Sequence, residues 1–292
     1  MSATSSASRG SGANPVGRLT ADHPGVVKMG RAGWLAKGVV YIISGFLALS
    51  IAIRASGWSE ELKVEGDQEA SPTGAIKSVA GSGGGMFLLY VLAVGMLLYA
   101  AWRVVSALLP GGDDTKAVVH RIGFVVSAVL YTVLAFSAFA LARDAPTQQD
   151  GNQKVTDISA SVMENSGGRL LIGVIGAIVI AVGLYRVSKG VKLDVNDELD
   201  LSGMSSSRLT ITKRLGAVGE IGRGIGFGLV GFFLVRAAWT FNAAEATGLD
   251  GALRRMVVEP WGLVVVFIVG IGFVAYGLFC ATTFAHRRLQ AP

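Results

Sequence analysis

The chain has 292 residues, of which 51% are hydrophobic and 16% charged, with a net charge of +6 at pH 7. A soluble domain carries about 25% charged residues, so this composition argues against an ordinary soluble protein. The basic residues gather at the ends of apolar blocks rather than on one stripe or tail, which argues for membrane topology and against nucleic-acid binding.

Residues 1–28 are rich in Ser, Gly and Ala and read as a disordered tail. No apolar run of signal-peptide length precedes the first span, which is expected to act as an uncleaved signal anchor. Six apolar blocks follow, roughly Ala32–Ile53, Gly85–Leu109, Val118–Ala142, Gly168–Val187, Ala217–Phe241 and Trp261–Phe284. Blocks of about 20 to 25 residues without period-2 alternation predict helices that cross a hydrocarbon core of about 30 Å. The fold class expected is an all-α integral membrane protein.

One side of these spans holds 17 of the 26 Lys and Arg residues. That side should be cytoplasmic, with both termini on it and the membrane being the bacterial plasma membrane. The outer connections are acidic, the first through Glu60, Glu61, Glu65, Asp67 and Glu69. The connections at 54–84 and 143–167 leave room for short amphipathic helices.

The odd-numbered spans begin alike: RAGWLAKGVVYIISGF from Arg31, RIGFVVSAVLYTVLAF from Arg121 and EIGRGIGFGLVGFFLV from Glu220. Aligning Gly33, Gly123 and Gly222 brings Tyr41 onto Tyr131 and puts Val230 in the same slot. The even-numbered spans end alike, aligning Tyr99, Tyr185 and Tyr276, with Arg103, Lys189 and Cys280 four residues later. The chain therefore reads as three parallel helical hairpins in a pseudo-threefold bundle. They occupy 29–112, 113–195 and 216–288, with a cytoplasmic linker at 196–215.

These R-x-G-(aromatic) openings and Tyr-x-x-x-(basic) closings resemble a bacterial family, common in actinobacteria, catalogued as domain of unknown function 1206. The resemblance covers about residues 29–288. It implies three two-helix units and transfers no chemistry. The third unit departs from the pattern at Glu220 and Cys280.

Several residues are candidates for function. Tyr41 and Tyr131 lie ten residues beyond an Arg, about 15 Å along the helix and near mid-membrane. A phenol there needs a partner. Such a partner makes it either interhelical glue or part of a polar axis shared by the repeats. Tyr99, Tyr185 and Tyr276 sit nearer the cytoplasmic end and read as aromatic-belt or hairpin-packing residues. Lys37 and Arg236 are shallow enough to snorkel. Arg236 is nonetheless the leading single functional candidate, with Glu245, Asp250 or Glu259 as partners, and Arg223 sits near it. Gly222/Gly226 and Gly224/Gly228 are small-xxx-small pairs that permit close helix approach.

Cys280 is the one cysteine, and His23, His120 and His286 are scattered at span ends. No cofactor and no metal site are expected. No charged pair is expected inside the spans. The first functional reading is a non-catalytic structural, regulatory or interaction component, surrounded by lipid and possessing a membrane-protein partner. The second is a small-solute transporter or channel with a path along the threefold axis near Tyr41, Tyr131 and Arg236. An enzyme is the third and weakest. Nothing in the sequence specifies oligomeric state.

Overall fold

The structure, a computed structural model, describes residues 24–57, 70–80, 85–108, 115–143, 151–165, 167–193 and 205–284. Of the tail expected over 1–28, residues 1–23 lie outside the described residues and 24–28 form the start of the first helix; the five acidic residues of the first connection, His23 and His286 also lie outside the described residues. Among the described residues nine α-helices run in chain order: α1 Pro24–Ala55, α2 Pro72–Ala80, α3 Gly85–Leu108, α4 Thr115–Ala142, α5 Gly151–Met163, α6 Gly168–Val191, α7 Ser206–Thr240, α8 Leu249–Met256 and α9 Gly262–Thr283. A 3₁₀ turn, Ala243–Glu245, precedes α8. No strand occurs among the described residues.

Six of these helices, α1, α3, α4, α6, α7 and α9, are long and apolar enough to cross a membrane. Their outward surface is apolar, with Phe87, Ile122, Phe136, Leu170 and Leu184 all exposed. A water-facing surface would not tolerate so continuous an apolar coat. In lipid it costs nothing, and the helical backbone satisfies its own hydrogen bonds. One difference from the sequence reading concerns the fifth span. Its helix begins at Ser206, inside the expected linker, and runs 35 residues, because the polar first turns continue the helix beyond the apolar block.

Helix packing uses one device three times. The strongest contacts are α9 on α1, α3 on α4 and α6 on α7. Each contains a seam of small residues spaced by seven, the period of left-handed helix packing. On α1 the seam is Gly38, Gly45 and Ala52; on α4 it is Ala128, Ala135 and Ala142; on α7 it is Gly224, Gly231 and Ala238. A methyl group added at Gly45 would lie 2.8 Å from the Gly270 carbonyl, and one at Gly231 would lie 2.7 Å from the Gly176 carbonyl. The backbones therefore touch directly.

The seams correct the register expected for the third hairpin. Gly33 lies against Tyr99, where an added Cβ would be 2.6 Å from the tyrosine Cβ. The residue that meets Tyr276 in the same way is Gly219, at 2.7 Å, and not Gly222. Gly222 abuts Gly272 instead. Two glycines three residues apart share a helix face, so either satisfies a sequence alignment, and packing selects Gly219. With that register Arg223 takes the place of Lys37, and Phe227, not Val230, takes the place of Tyr41. The shared string is G-x-x-x-(Lys/Arg)-Gly, at Gly33–Gly38 and Gly219–Gly224.

The arms of the second hairpin separate. Among the described residues its helices α4 and α6 make no extensive contact: α4 leans on α3, and α6 on α7. Nor is there an extensive contact between α4 and α7 among the described residues. The space between α4 and α7 is where the cavity described below opens.

At the end of the bundle away from both termini, the connecting segments are structured. α2 packs on α1, α3 and α4, while α5 packs on α6, α8 and the 3₁₀ turn. One carboxylate ties the three connections together. Asp250, 4% exposed, accepts from the Ala70 amide at 2.7 Å and the Asn152 side-chain amide at 3.0 Å. It also pairs with Arg254 at 2.8 Å. Asn152 in turn accepts from the Gly251 amide at 3.0 Å.

Candidate functional site

The candidate site forms where α1, α3, α4, α7 and α9 converge. On α1 the side chains of Trp34, Lys37, Tyr41 and Ser44 recur at steps of three and four, which places them on one helix face. On α9 the same steps line up Phe273, Tyr276, Cys280 and Thr283. The two stripes face each other, and the Trp34 indole donates to the Thr283 hydroxyl at 3.0 Å.

Lys37 does not snorkel. Its side chain is buried and donates to the Tyr99 hydroxyl at 3.1 Å. Five rings surround its ammonium, with centroids at 5.0 Å (Trp34), 5.0 Å (Tyr99), 5.5 Å (Tyr276), 5.6 Å (Tyr131) and 6.0 Å (Tyr41). Each cation–π contact is worth about 0.5–2 kcal/mol, more as water is removed. The expectation of snorkelling rested on depth alone. The rotation of α1 turns Lys37 inward, where the aromatic faces replace water.

The tyrosines expected at two depths form one cluster. Tyr99 meets Tyr131 edge-on at 4.6 Å, and Tyr276 meets Tyr41 in the same geometry at 4.8 Å. Tyr41 and Tyr131 lie on odd-numbered spans and Tyr99 and Tyr276 on even-numbered ones, and the packing of these helices brings the rings together. Arg103 also enters the cluster. It is buried, donates to the Tyr99 hydroxyl at 2.8 Å and stacks on Phe124 at 4.8 Å.

Arg223 is 5% exposed and lies over Tyr276 at 3.9 Å and Tyr41 at 5.3 Å. Its partner is Glu220, at 2.9 Å, and Glu220 also pairs with Arg186 at 2.9 Å. This overturns the expectation that the spans hold no charged pair. Glu220 stands in the Trp34 slot, one turn from Arg223, and its carboxylate is stabilised by two guanidiniums where water is excluded.

Other expected site residues lie elsewhere. Arg236 is not part of the cluster: it is 13 residues beyond Arg223, half exposed, and paired with Glu245 at 3.3 Å. Arg255 shares that carboxylate. Tyr185 is exposed on the outer face of α6 and has no hairpin-packing role, because α4 makes no extensive contact with that helix among the described residues. Lys189, on the same helix, is half-buried. Arg31 and Arg121 are half-buried at the start of their spans, and Gly123 faces open space. Cys280 is fully buried. An added Cβ at Gly38 would lie 2.9 Å from its Cβ, so a long basic side chain at position 280 would not fit.

A cavity of about 380 Å³ borders the cluster. Tyr41 and Ser44 of α1, Tyr131 and Ser137 of α4, Arg223 and Phe227 of α7, and Leu249 of α8 are among the residues that line it. Its volume falls within the range of about 300–1,000 Å³ typical of ligand pockets. Two atoms of lining residues, Ser44 Oγ and Arg223 Nε, are fully buried and have no hydrogen-bond partner.

Six membrane-length helices around a buried cation–aromatic cluster define a multi-pass helical membrane protein. The chain belongs to the family described as Domain of Unknown Function (DUF1206), whose model matches residues 32–109, 122–192 and 218–283. It is also 30% identical over 259 residues to the uncharacterized protein YxxB of Bacillus subtilis (strain 168), covering 88% of this chain and 89% of that protein. No solved structure matches the chain.

Proposed function

We propose that this protein is a non-catalytic plasma-membrane protein, with both termini cytoplasmic, that binds a small ligand within the bilayer. Of the two leading sequence readings, this favours the transport-type role over a purely structural or interaction component. The observation that carries it is the cavity of about 380 Å³ lined by Tyr41, Tyr131 and Arg223, beside the buried cation–aromatic cluster. The three seams and the three matched segments support an internal triplication. In this reading the pseudo-threefold ring is open between α4 and α6, and the opening gives access to the axis. Orientation rests on the Lys and Arg distribution.

Cysteine accessibility tests the reading. In a Cys280→Ala background, Leu134→Cys and Ser137→Cys, both half-buried on the cavity wall, should react with a small methanethiosulfonate reagent in proteoliposomes. Ala48→Cys, on the fully buried α1–α9 seam, should stay silent. If both cavity cysteines are as unreactive as position 48, no ligand reaches the site and the reading fails.

A further inference from the structure

We infer that the cavity takes an uncharged lipid of the bilayer midplane: a hydrocarbon chain that carries an isolated carbonyl and no charged or polyhydroxyl headgroup. This rests on the binding role proposed above and names what is bound.

The wall is the first argument. Val40, Leu130, Val133, Leu134, Val230 and Phe273 give the cavity an apolar surface. Among the described lining residues Arg223 is the one with a formal charge, and its guanidinium is already held by Glu220 at 2.9 Å and stacked on Tyr276 at 3.9 Å. An ion entering here would lose its water against a wall that returns nothing for it. A hydrocarbon chain gains by the same burial, and apolar cavities accept apolar guests.

Access is the second. Val126, Leu130 and Val133 follow at steps of four and three on one face of α4, and all three are more than half exposed. Leu130 and Val133 also line the cavity. No extensive contact between α4 and α7 closes this flank among the described residues. The cavity wall therefore runs on into the lipid-facing surface, and a chain enters sideways from the bilayer without a water-filled path.

Depth and hydrogen bonding select the carbonyl. Tyr41 lies ten residues into the span Arg31–Ala55, and Tyr131 ten into Arg121–Ala142, about 15 Å from the start of each span. Both are half-buried lining residues, and neither hydroxyl makes a hydrogen bond among the described residues. The hydroxyl of Ser137, another lining residue, is instead spent on the Val133 carbonyl at 3.0 Å. A phenol without an acceptor at this depth is costly. A ligand carbonyl supplies the acceptor and brings no donor of its own to be stranded. The ester carbonyls of a phospholipid lie in the interfacial region, outside a hydrocarbon core about 30 Å thick. They are too shallow to reach these tyrosines, whereas a lipid dissolved between the leaflets carries its carbonyl at their level. A long-chain ester and a quinone with a hydrocarbon tail share this chemistry.

The test uses the full-length protein in phosphatidylcholine nanodiscs at increasing probe content. The probe is the methyl ester of a palmitic acid with a photoactivatable diazirine in its chain, and the free acid is the comparison. Mass spectrometry after illumination maps the labelled residues: Leu134 and Phe273 report the cavity, and Leu170 and Leu184, exposed on α6, report bulk lipid. Ester labelling of the cavity pair should saturate, while labelling on α6 rises in proportion to the probe. Unlabelled methyl palmitate or a decyl-substituted benzoquinone should reduce the saturable labelling at least about tenfold, and the stronger competitor identifies ester or quinone as the carbonyl source. The free acid should label the cavity at least about tenfold less. Joint Tyr41→Phe and Tyr131→Phe substitution should raise the half-saturating probe content about three- to tenfold. Leu134→Trp, which narrows the cavity and leaves both tyrosines in place, should abolish saturable labelling of Phe273 even if the tyrosine variant fails to fold. Cavity labelling that rises in proportion to the probe, as on α6, overturns the proposal in favour of bulk lipid. Equal or stronger labelling by the acid overturns the uncharged ligand. Unchanged half-saturation in the folded tyrosine variant overturns the carbonyl contact. No cavity labelling by either probe while Leu134→Cys and Ser137→Cys still react overturns the ligand class and leaves the binding role standing. Absence of both removes the binding role as well.

Discussion

Asp250→Ala should loosen the end of the bundle where the three connections meet, and its cost can be worked from the contacts. The substitution leaves the Ala70 amide and the Asn152 side-chain amide without their acceptor, and Ala70 is fully buried. Two stranded donors at about 1–3 kcal/mol each give about 3–5 kcal/mol. The Arg254 pair adds little, since that guanidinium is 36% exposed and exposed pairs contribute about 0–1 kcal/mol. Asp250→Asn keeps one acceptor for Ala70 and should cost about half as much. Cys280 supplies the assay: it is buried at the opposite end of the bundle, so a thiol-reactive dye reports global unfolding during a thermal ramp in detergent. At about 2–4 °C per kcal/mol for a chain of this size, the midpoint should fall by about 6–20 °C for Asp250→Ala. Asn152→Ala should overlap with it rather than add, because both act on one hydrogen-bond network. A shift below about 2 °C, or strict additivity with Asn152→Ala, would show that the connections do not stabilise the bundle through this carboxylate.

Two further predictions use the same dye assay. Tyr99→Phe removes the hydroxyl that accepts from both Lys37 and Arg103; losing two charge-assisted bonds should cost about 2–5 kcal/mol, while Tyr41→Phe keeps its ring contacts and should cost far less. Equal effects of the two would refute the hydrogen-bonded role of Tyr99. Arg236→Ala should change stability by less than about 1 kcal/mol, because its pair with Glu245 is exposed and Arg255 still holds that carboxylate; it should also leave ligand binding unaltered, and a loss of binding would return Arg236 to the site.

The six spans were legible because length and apolar content decide membrane crossing without reference to neighbours. Depth was legible only in part: counting placed Tyr41 and Tyr131 at one level and Tyr99 and Tyr276 at another, whereas the two groups meet ring to ring. Rotation was not legible. Lys37 and Arg236 both sit a few turns from a span end, yet one turns into a ring of aromatics and the other into an exposed ion pair. The face of a helix that meets protein is set by the other helices. A local signal for Lys37 did exist: Trp34, Lys37, Tyr41 and Ser44 fall on one stripe, and a stripe that mixes aromatic, cationic and hydroxyl groups does not suit lipid. The Arg236–Glu245 pair was readable because nine residues across a helix end keep the partners close. Asp250 was readable only as a possible partner for Arg236, since its partners Ala70 and Asn152 are 180 and 98 residues away. The third hairpin was misread by three residues because its glycines recur at that spacing on one face.

The separation of α4 from α6 bears on how the chain is made. Most hairpins reach the membrane with their partner helix at hand, but α6 has its glycine seam matched to α7, which is synthesised later. Until α7 emerges, Gly176 and Gly183 face lipid, and α6 lacks the surface that its own hairpin partner would normally supply. A chain truncated after α6 holds a fourth helix without the surface it packs on. The α1–α9 seam joins the first span to the last and closes only when α9 emerges.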